Sequence, residues 1–331
     1  MTSSLKTCSL VLLALLNTHV QAYTCGMGHR GVGQAAAATN LTSAVCEEPF
    51  VAVGDQCLYF ATFASIPHLE AHQMCHSVGG ELAAILTATR LYNIIHYIYN
   101  NGLDDRHFWI DGADQEQEGD WRSSSGAPIP RGTPFWEATV GGQQPDNYHE
   151  EDCLELPAGY CFYMNDVNCL YSLVPLCEQP SQLKQTTAVT TEVNCPTFFV
   201  NVGGLCLSFV TWASQNWADA RQSCHGISGE LATITDIEDL RAIYVYIHQE
   251  EIAGHSFWLG ASDEASEGLW TWTDGQHVTM GSPFWGYTNE HYTLEPDGGS
   301  AENCLLLNAE GYHYFRDASC NLLANPLCLY H

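Results

Sequence analysis

Positive charge is scarce in this chain. Its 331 residues hold 10 Lys plus Arg against 38 Asp plus Glu, a formal charge of −28. A surface that grips a nucleic acid backbone or an anionic membrane needs clustered cations, so neither partner fits. Long apolar runs are also missing. Leu10 to Leu16, preceded by Lys6 and followed by Val20-Gln21-Ala22, is too short to span a bilayer, and no later stretch reaches about 20 apolar residues. A cationic head, an apolar run and a small residue at the cleavage point mark residues 1–22 as a secretion signal. Its removal takes away Lys6 and no acid, giving a soluble extracellular product with no membrane insertion. Two catalytic signatures are absent as well: there is no Gly-X-Ser-X-Gly elbow and no His-Glu-X-X-His. No catalytic residue is assigned.

What is present excludes disorder. The chain is 46% hydrophobic, with 9 Trp, 16 Tyr and 12 Phe, so a packed core is expected despite the charge. Fifteen cysteines suit an oxidising compartment. Cys8 leaves with the signal, and fourteen remain. Cys46, Cys57, Cys75, Cys153, Cys169 and Cys177 are separated by 11, 18, 78, 16 and 8 residues; Cys195, Cys206, Cys224, Cys304, Cys320 and Cys328 by 11, 18, 80, 16 and 8. Four of five intervals agree, which marks a duplicated domain. Gly80-Glu81-Leu82-Ala83 keeps register with Gly229-Glu230-Leu231-Ala232, Phe108-Trp109-Ile110 with Phe257-Trp258-Leu259, and Pro134-Phe135-Trp136 with Pro283-Phe284-Trp285.

The copies span 46–178 and 195–331. Between them, the Thr-rich stretch 179–194 reads as a linker. Residues 23–45 are Gly- and Ala-rich and read as a flexible N-terminal segment, in which Asn40-Leu41-Thr42 is the one glycosylation sequon. Gly26-X-Gly28-X-X-Gly31 spells a dinucleotide fingerprint, but no strand or βαβ unit surrounds it, and it is dismissed.

Within each copy the first half has helical periodicity. Trp217, Ala220 and Cys224 share one face, as do Leu240, Ile243 and Ile247, and Leu91, Ile94, Ile95 and Ile98. The second half consists of short aromatic runs broken by Gly, Pro and Asn, as expected of short strands and long loops. The fold class is α+β, with the cysteines fastening the loops. His68, His72 and His76 fall at i, i+4 and i+8; a solvated helix face is the favoured reading there, with zinc the alternative.

The cysteine intervals, the Phe-Trp-Ile and Phe-Trp-Leu triplets, Glu267-Gly268-Leu269-Trp270-Thr271-Trp272 and Gln144-Pro145-Asp146 together resemble the C-type lectin domain, most closely the secreted two-domain lectins of invertebrates. The likeness covers Cys46–Glu178 and Cys195–Tyr330. It implies two tandem domains, each with two helices, short irregular antiparallel sheets and long disulfide-tied loops. It also implies the bridges Cys46–Cys57, Cys75–Cys177, Cys153–Cys169, Cys195–Cys206, Cys224–Cys328 and Cys304–Cys320. Cys25 and Cys161 are left to pair with each other, to join two chains or to stay free.

In copy one the candidate site is Gln144-Pro145-Asp146, Glu151 and Asn165-Asp166, an oxygen-only set that suits calcium better than zinc or magnesium. Five side chains and the Asp166 carbonyl leave two coordination positions, which adjacent sugar hydroxyls can fill while hydrogen-bonding to Gln144, Asp146, Glu151 and Asn165. The resemblance implies a cis bond before Pro145 and, from the order Gln-Pro-Asp, a galactose-type ligand; Tyr148 is the candidate to cover the apolar face of the sugar. Met164 stands where the family has Trp. An auxiliary calcium site is expected from Asp114, Glu118, Glu151 and Asp152 with Asn147. In copy two the matching residues are Glu295, Asp297, Glu302 and Asp317, but Arg316 replaces Asn165, and a guanidinium cannot ligate calcium. Arg316 either pairs with Glu295 or Asp297 and fills the ion's place, or swings outward.

The reading that results is a secreted, calcium-dependent lectin that binds glycans on microbial or cell surfaces. The resemblance adds pattern recognition and agglutination in innate immunity. Two working copies would bridge glycans directly; with one, bridging requires self-association. The alternative is calcium-independent recognition of a protein or lipid by the same fold, with copy two degenerate.

Overall fold

The computed structural model describes residues 46–330 apart from 140–141, 149, 181–192 and 288–292. The expectations for the signal, the segment 23–45, Asn40, Cys25 and most of the linker lie outside the described residues.

Copy one opens with a hairpin, β1 (Val51–Val53) and β2 (Gln56–Phe60), and continues through α1 (His68–Ser77), β3 (Glu81–Leu82), α2 (Ala88–Asn100) and β4 (Phe108–Ala113). The short pair β5 (Ala138–Thr139) and β6 (Gly142–Gln143) precedes β7 (Cys153–Leu156), β8 (Asn165–Val167) and β9 (Val174–Glu178). The sheet order is β1-β2-β9-β4-β7-β8, with β3 also on β9. Copy two repeats this plan with β10 (Val200–Val202), β11 (Leu205–Phe209), α3 (Trp217–Gly226), β12 (Gly229–Leu231), α4 (Ile237–Gln249), β13 (Phe257–Ser262), β14 (Thr271–Trp272), β15 (Cys304–Leu307), β16 (Phe315–Ala318) and β17 (Asn325–Tyr330). The pairing is antiparallel except that β4 runs parallel to β9 and β13 to β17. The long chain segments between those strands permit the crossover that parallel neighbours require.

The helices form where the apolar spacing places them. Leu91, Ile94, Ile95 and Ile98 are fully buried on α2, and Leu240, Ile243 and Ile247 on α4. The side chains of Thr87, Asn216 and Asp236 each accept a backbone N–H and start α2, α3 and α4. On α1, His76 is exposed as expected of a solvated face and His72 is half-buried, but His68 departs from that reading. His68 is buried, its Nε2 lies 3.3 Å from the Ile110 carbonyl oxygen, and its ring meets Trp109 edge-on. Burial holds its pKa down at about 4, so it is a neutral core residue.

All six implied bridges are formed. Cys75–Cys177 and Cys224–Cys328 close loops of 102 and 104 residues and tie the first helix of each copy to its last strand. Removing a loop of that size from the unfolded ensemble stabilises by about 4 to 5 kcal/mol in the chain-entropy account. Cys161 is also disulfide-bonded, which excludes a free thiol at that position.

The copies share a seam related by approximate twofold symmetry, because equivalent residues make reciprocal contacts across it. Tyr163 donates its hydroxyl hydrogen to the Trp285 carbonyl, and Tyr314 donates to that of Trp136 at 2.7 Å. The two tyrosine rings meet edge-on, with centroids 5.1 Å apart. Thr89 on α2 donates its N–H and hydroxyl to Glu238 at the equivalent position on α4. Tyr92 packs on Phe284, while Arg241, its counterpart, lies over Phe135 and donates to the Arg131 and Thr133 carbonyls. Gly132 is required where it stands: its φ is +79°, and a Cβ there would lie 2.2 Å from the Tyr244 hydroxyl oxygen. One apolar core runs through both copies, from Ile94 and Phe135 to Ile243 and Phe284.

Candidate functional site

In copy one the site is assembled at the far edge of the sheet. Strand β8 carries Asn165 and Asp166 and pairs with β7, placing Asn165 opposite Glu155 and Asp166 opposite Leu154. The Cys153–Cys169 bridge ties the start of β7 to the chain just beyond β8. The Gln144-Pro145-Asp146 turn follows β6 and lies against Asp166, with the bond before Pro145 cis. The buried Asp166 carboxylate accepts the backbone N–H of Asp146 at 3.2 Å and of Asn147 at 2.8 Å. Asp146 N–H also lies 3.0 Å from Gln144 Oε1, and Asp146 Oδ1 accepts from the N–H of Tyr148 at 3.1 Å. The turn is therefore folded around its own acids. Met164 is fully buried in the core beneath the strand, filling the position where a Trp was expected.

Asp146, Glu151 and Asp166 bring carboxylate oxygens within 4.8 Å of one another. Burial first, then the charges of Asp166, Asp146 and Glu155, push Glu151 up to about 7. Burial raises Asp166 to about 6, opposed by its backbone hydrogen bonds and assisted by Asp146. Carboxylates driven together in this way are relieved by a cation. The donors are all oxygens, the ligand type that calcium takes and that zinc uses less readily than nitrogen or sulfur. Tyr148 is exposed beside the turn, at 64%.

Asp114, Glu118 and Asp152 form a second carboxylate group. By distance Glu151 belongs to the first group, and Asn147 uses its Oδ1 to accept the Glu151 N–H at 2.9 Å. Of the four acids expected at the auxiliary position, three converge.

In copy two, Glu295, Asp297 and Asp317 converge in the same way, and Asp317 accepts from the N–H groups of Asp297 and Gly298. Glu302 lies outside that convergent group, although it feels the charges of Asp317, Arg316 and Asp297. Arg316 turns inward: its Nε lies 3.3 Å from Glu295 Oε1, an ion pair without hydrogen-bond alignment. Burial, then Asp317 and Asp297, push Glu295 up to about 10 even though Arg316 opposes the shift.

Two acids that the sequence reading did not single out lie beneath site one, Glu137 and Glu155, both buried. The available signal was an acid at a core position, Glu137 directly after buried Trp136 and Glu155 within the apolar run Cys153-Leu154-Glu155-Leu156.

The chain matches the family Lectin C-type domain at residues 65–179 and 213–330. It is similar to C-type mannose receptor 2 of Homo sapiens, 24% identical over 285 residues, covering 83% of this chain and 18% of that protein. The chain thus spans less than a fifth of that relative's length. It is also similar to the galactose-specific lectin nattectin of Thalassophryne nattereri, 27% identical over 135 residues, covering 41% of this chain and 79% of that protein. Among solved structures, the mouse scavenger receptor C-type lectin carbohydrate-recognition domain is similar at 25% identity, covering 41% of this chain and 96% of that one, with a TM-score of 0.34. Among the described residues no helix is long and apolar enough to cross a membrane.

Proposed function

The chain belongs to the lectin C-type domain family, and we propose that it is a secreted, calcium-dependent carbohydrate-binding protein whose working site is Gln144, Asp146, Glu151, Asn165 and Asp166. The observation that carries this reading is the convergence of three mutually repelling carboxylates, Asp146, Glu151 and Asp166, whose oxygens lie within 4.8 Å of one another. A bound calcium ion would supply two coordination positions for neighbouring sugar hydroxyls. The protein's part is to orient: Asp146 and Glu151 accept hydroxyl protons, the amides of Gln144 and Asn165 donate to hydroxyl oxygens, and Tyr148 offers a ring to an apolar sugar face. The Gln-Pro-Asp order supports a galactose-type ligand, as does similarity to a lectin described as galactose-specific.

Copy two is read differently because of Arg316. Its guanidinium beside Glu295 supplies internally the positive charge that calcium supplies in copy one. With a single working sugar site, agglutination of microbes or cells requires self-association of the chain; the role in innate immunity is carried over from the family resemblance alone. The group formed by Asp114, Glu118 and Asp152 is the auxiliary calcium position.

The test is Asp146→Ala in the full chain, with retention on immobilised galactose measured with and without chelator. Retention is expected to vanish while near-ultraviolet dichroism and cystine content stay unchanged. Calcium-dependent retention that survives the substitution refutes the assignment.

A further inference from the structure

Gln144 and Asn165 are the two amides of the candidate site, and an amide faces a cation in only one useful way. Its oxygen can ligate; its NH₂ cannot. A half-turn of either side chain would set a donor against the ion, so something must choose between the two orientations. Each amide is held by a buried acid. Asn165 Nδ2 donates to Glu155 Oε1 at 3.1 Å, and Glu155 Oε2 lies 3.0 Å from His107 Nδ1. The Gln144 amide lies against the Glu137 carboxylate and favours its charged form, while its Oε1 receives the Asp146 N–H at 3.0 Å. Glu137 is itself fixed at both backbone ends: its N–H bonds to the Met164 carbonyl, next to Asn165, and its carbonyl accepts from Gln144 N–H.

Buried acids are costly, and Glu137 Oε1 has no hydrogen-bond partner among the described residues. The scaffold does not need them, because copy two is built without them. Gly286 stands at the position of Glu137, Leu306 at that of Glu155 and Ser256 at that of His107. Copy two also lacks both amides, having Glu295 and Arg316 in place of Gln144 and Asn165. Acid and amide are present together or absent together at both positions.

We infer that Glu137 and Glu155 are positioning residues, which hold the Gln144 and Asn165 amides oxygen-first toward a divalent cation and thereby set the calcium affinity and sugar selectivity of copy one. The assignment rests on the proposed function. Each amide keeps a second N–H, which remains for a sugar hydroxyl.

The experiment uses the full chain and the residues that copy two already carries, Glu137→Gly and Glu155→Leu, with Glu137→Gln and Glu155→Gln as conservative partners. Calcium affinity is read by calorimetry, and selectivity by the ratio of galactose to mannose needed to inhibit binding. Loss of an outer partner of a metal ligand weakens binding by about 10- to 100-fold, and that range is expected for E137G and E155L, with the sugar ratio falling toward unity. The glutamine variants keep an acceptor oxygen and are expected to stay within about threefold of the parent. The assignment is overturned if E137G and E155L keep the parent's calcium affinity and sugar ratio, or if the glutamine variants fall as far as they do. A parent chain that takes up no calcium overturns the proposed function as well, so the two failures are distinguishable.

Discussion

Arg316 and Glu295 stand 3.3 Å apart, Nε to Oε1, at positions where copy one has Asn165 and Gln144. In one copy the two places are filled by neutral amides facing a cluster of acids; in the other a guanidinium lies beside a buried carboxyl group. The guanidinium is always charged and offers only donors, so it competes with a metal ion for the same carboxylates.

Removing that competitor should open the second site. Arg316→Asn leaves Glu295, Asp297 and Asp317 converged with no cation of their own. The expected outcome is one additional calcium equivalent per chain in a calorimetric titration. An unchanged stoichiometry would mean that the glutamate and aspartate arrangement, not the arginine, is what closes copy two.

The pH response follows from the carboxylates of copy one. Glu151 is raised to about 7 and Asp166 to about 6, both primarily by burial, so without metal the folded chain binds more protons than the unfolded chain from roughly pH 4.5 to 7. The ion-free protein therefore loses stability as pH rises through that window. Calcium reverses the trend, because it binds the deprotonated forms. Its affinity is expected to fall steeply as pH drops from about 7 to 5, with protons released on binding near pH 6.5. Titrations in two buffers of different ionisation enthalpy measure that release; identical apparent enthalpies would contradict it.

The seam predicts cooperative unfolding. Tyr163 and Tyr314 are fully buried, and each bonds to a carbonyl of the other copy. Tyr163→Phe or Tyr314→Phe should cost about 1 to 3 kcal/mol, the usual penalty for leaving a buried acceptor unpaired. The two copies of the parent should melt in one transition. Two resolved transitions in the parent, or no loss of stability in either variant, would show that the seam adds nothing.

The scaffold was legible in the sequence because its signals are periodic and local. Cysteine intervals exposed the duplication, and apolar spacing placed Leu91, Ile94, Ile95 and Ile98 on a buried helix face. The parallel pairing of β4 with β9 was not legible, since it joins segments far apart in sequence that carry no turn signal. His68 was misread for a related reason: helical spacing puts it on the same face as His72 and His76, but only tertiary packing against Trp109 and Ile110 buries it. At the site, Asp146, Glu151 and Asp166 could be picked out by residue type and their place beside the cysteines. Glu137 and Glu155 were passed over, because the one signal, an acid in an apolar run, looks the same in sequence whether the side chain is solvated or buried.

The reciprocal tyrosine contacts have a consequence for how the chain can change. Tyr163 and Tyr314 each reach a main-chain carbonyl of the opposite half, so a replacement at either tyrosine is felt across the seam, whereas the carbonyl it meets survives any replacement of Trp136 or Trp285. The rims bear no such mutual check. Duplication has left the tyrosine pair the same in both halves while the site positions differ: two frames of one plan, of which one holds amides and the other an arginine.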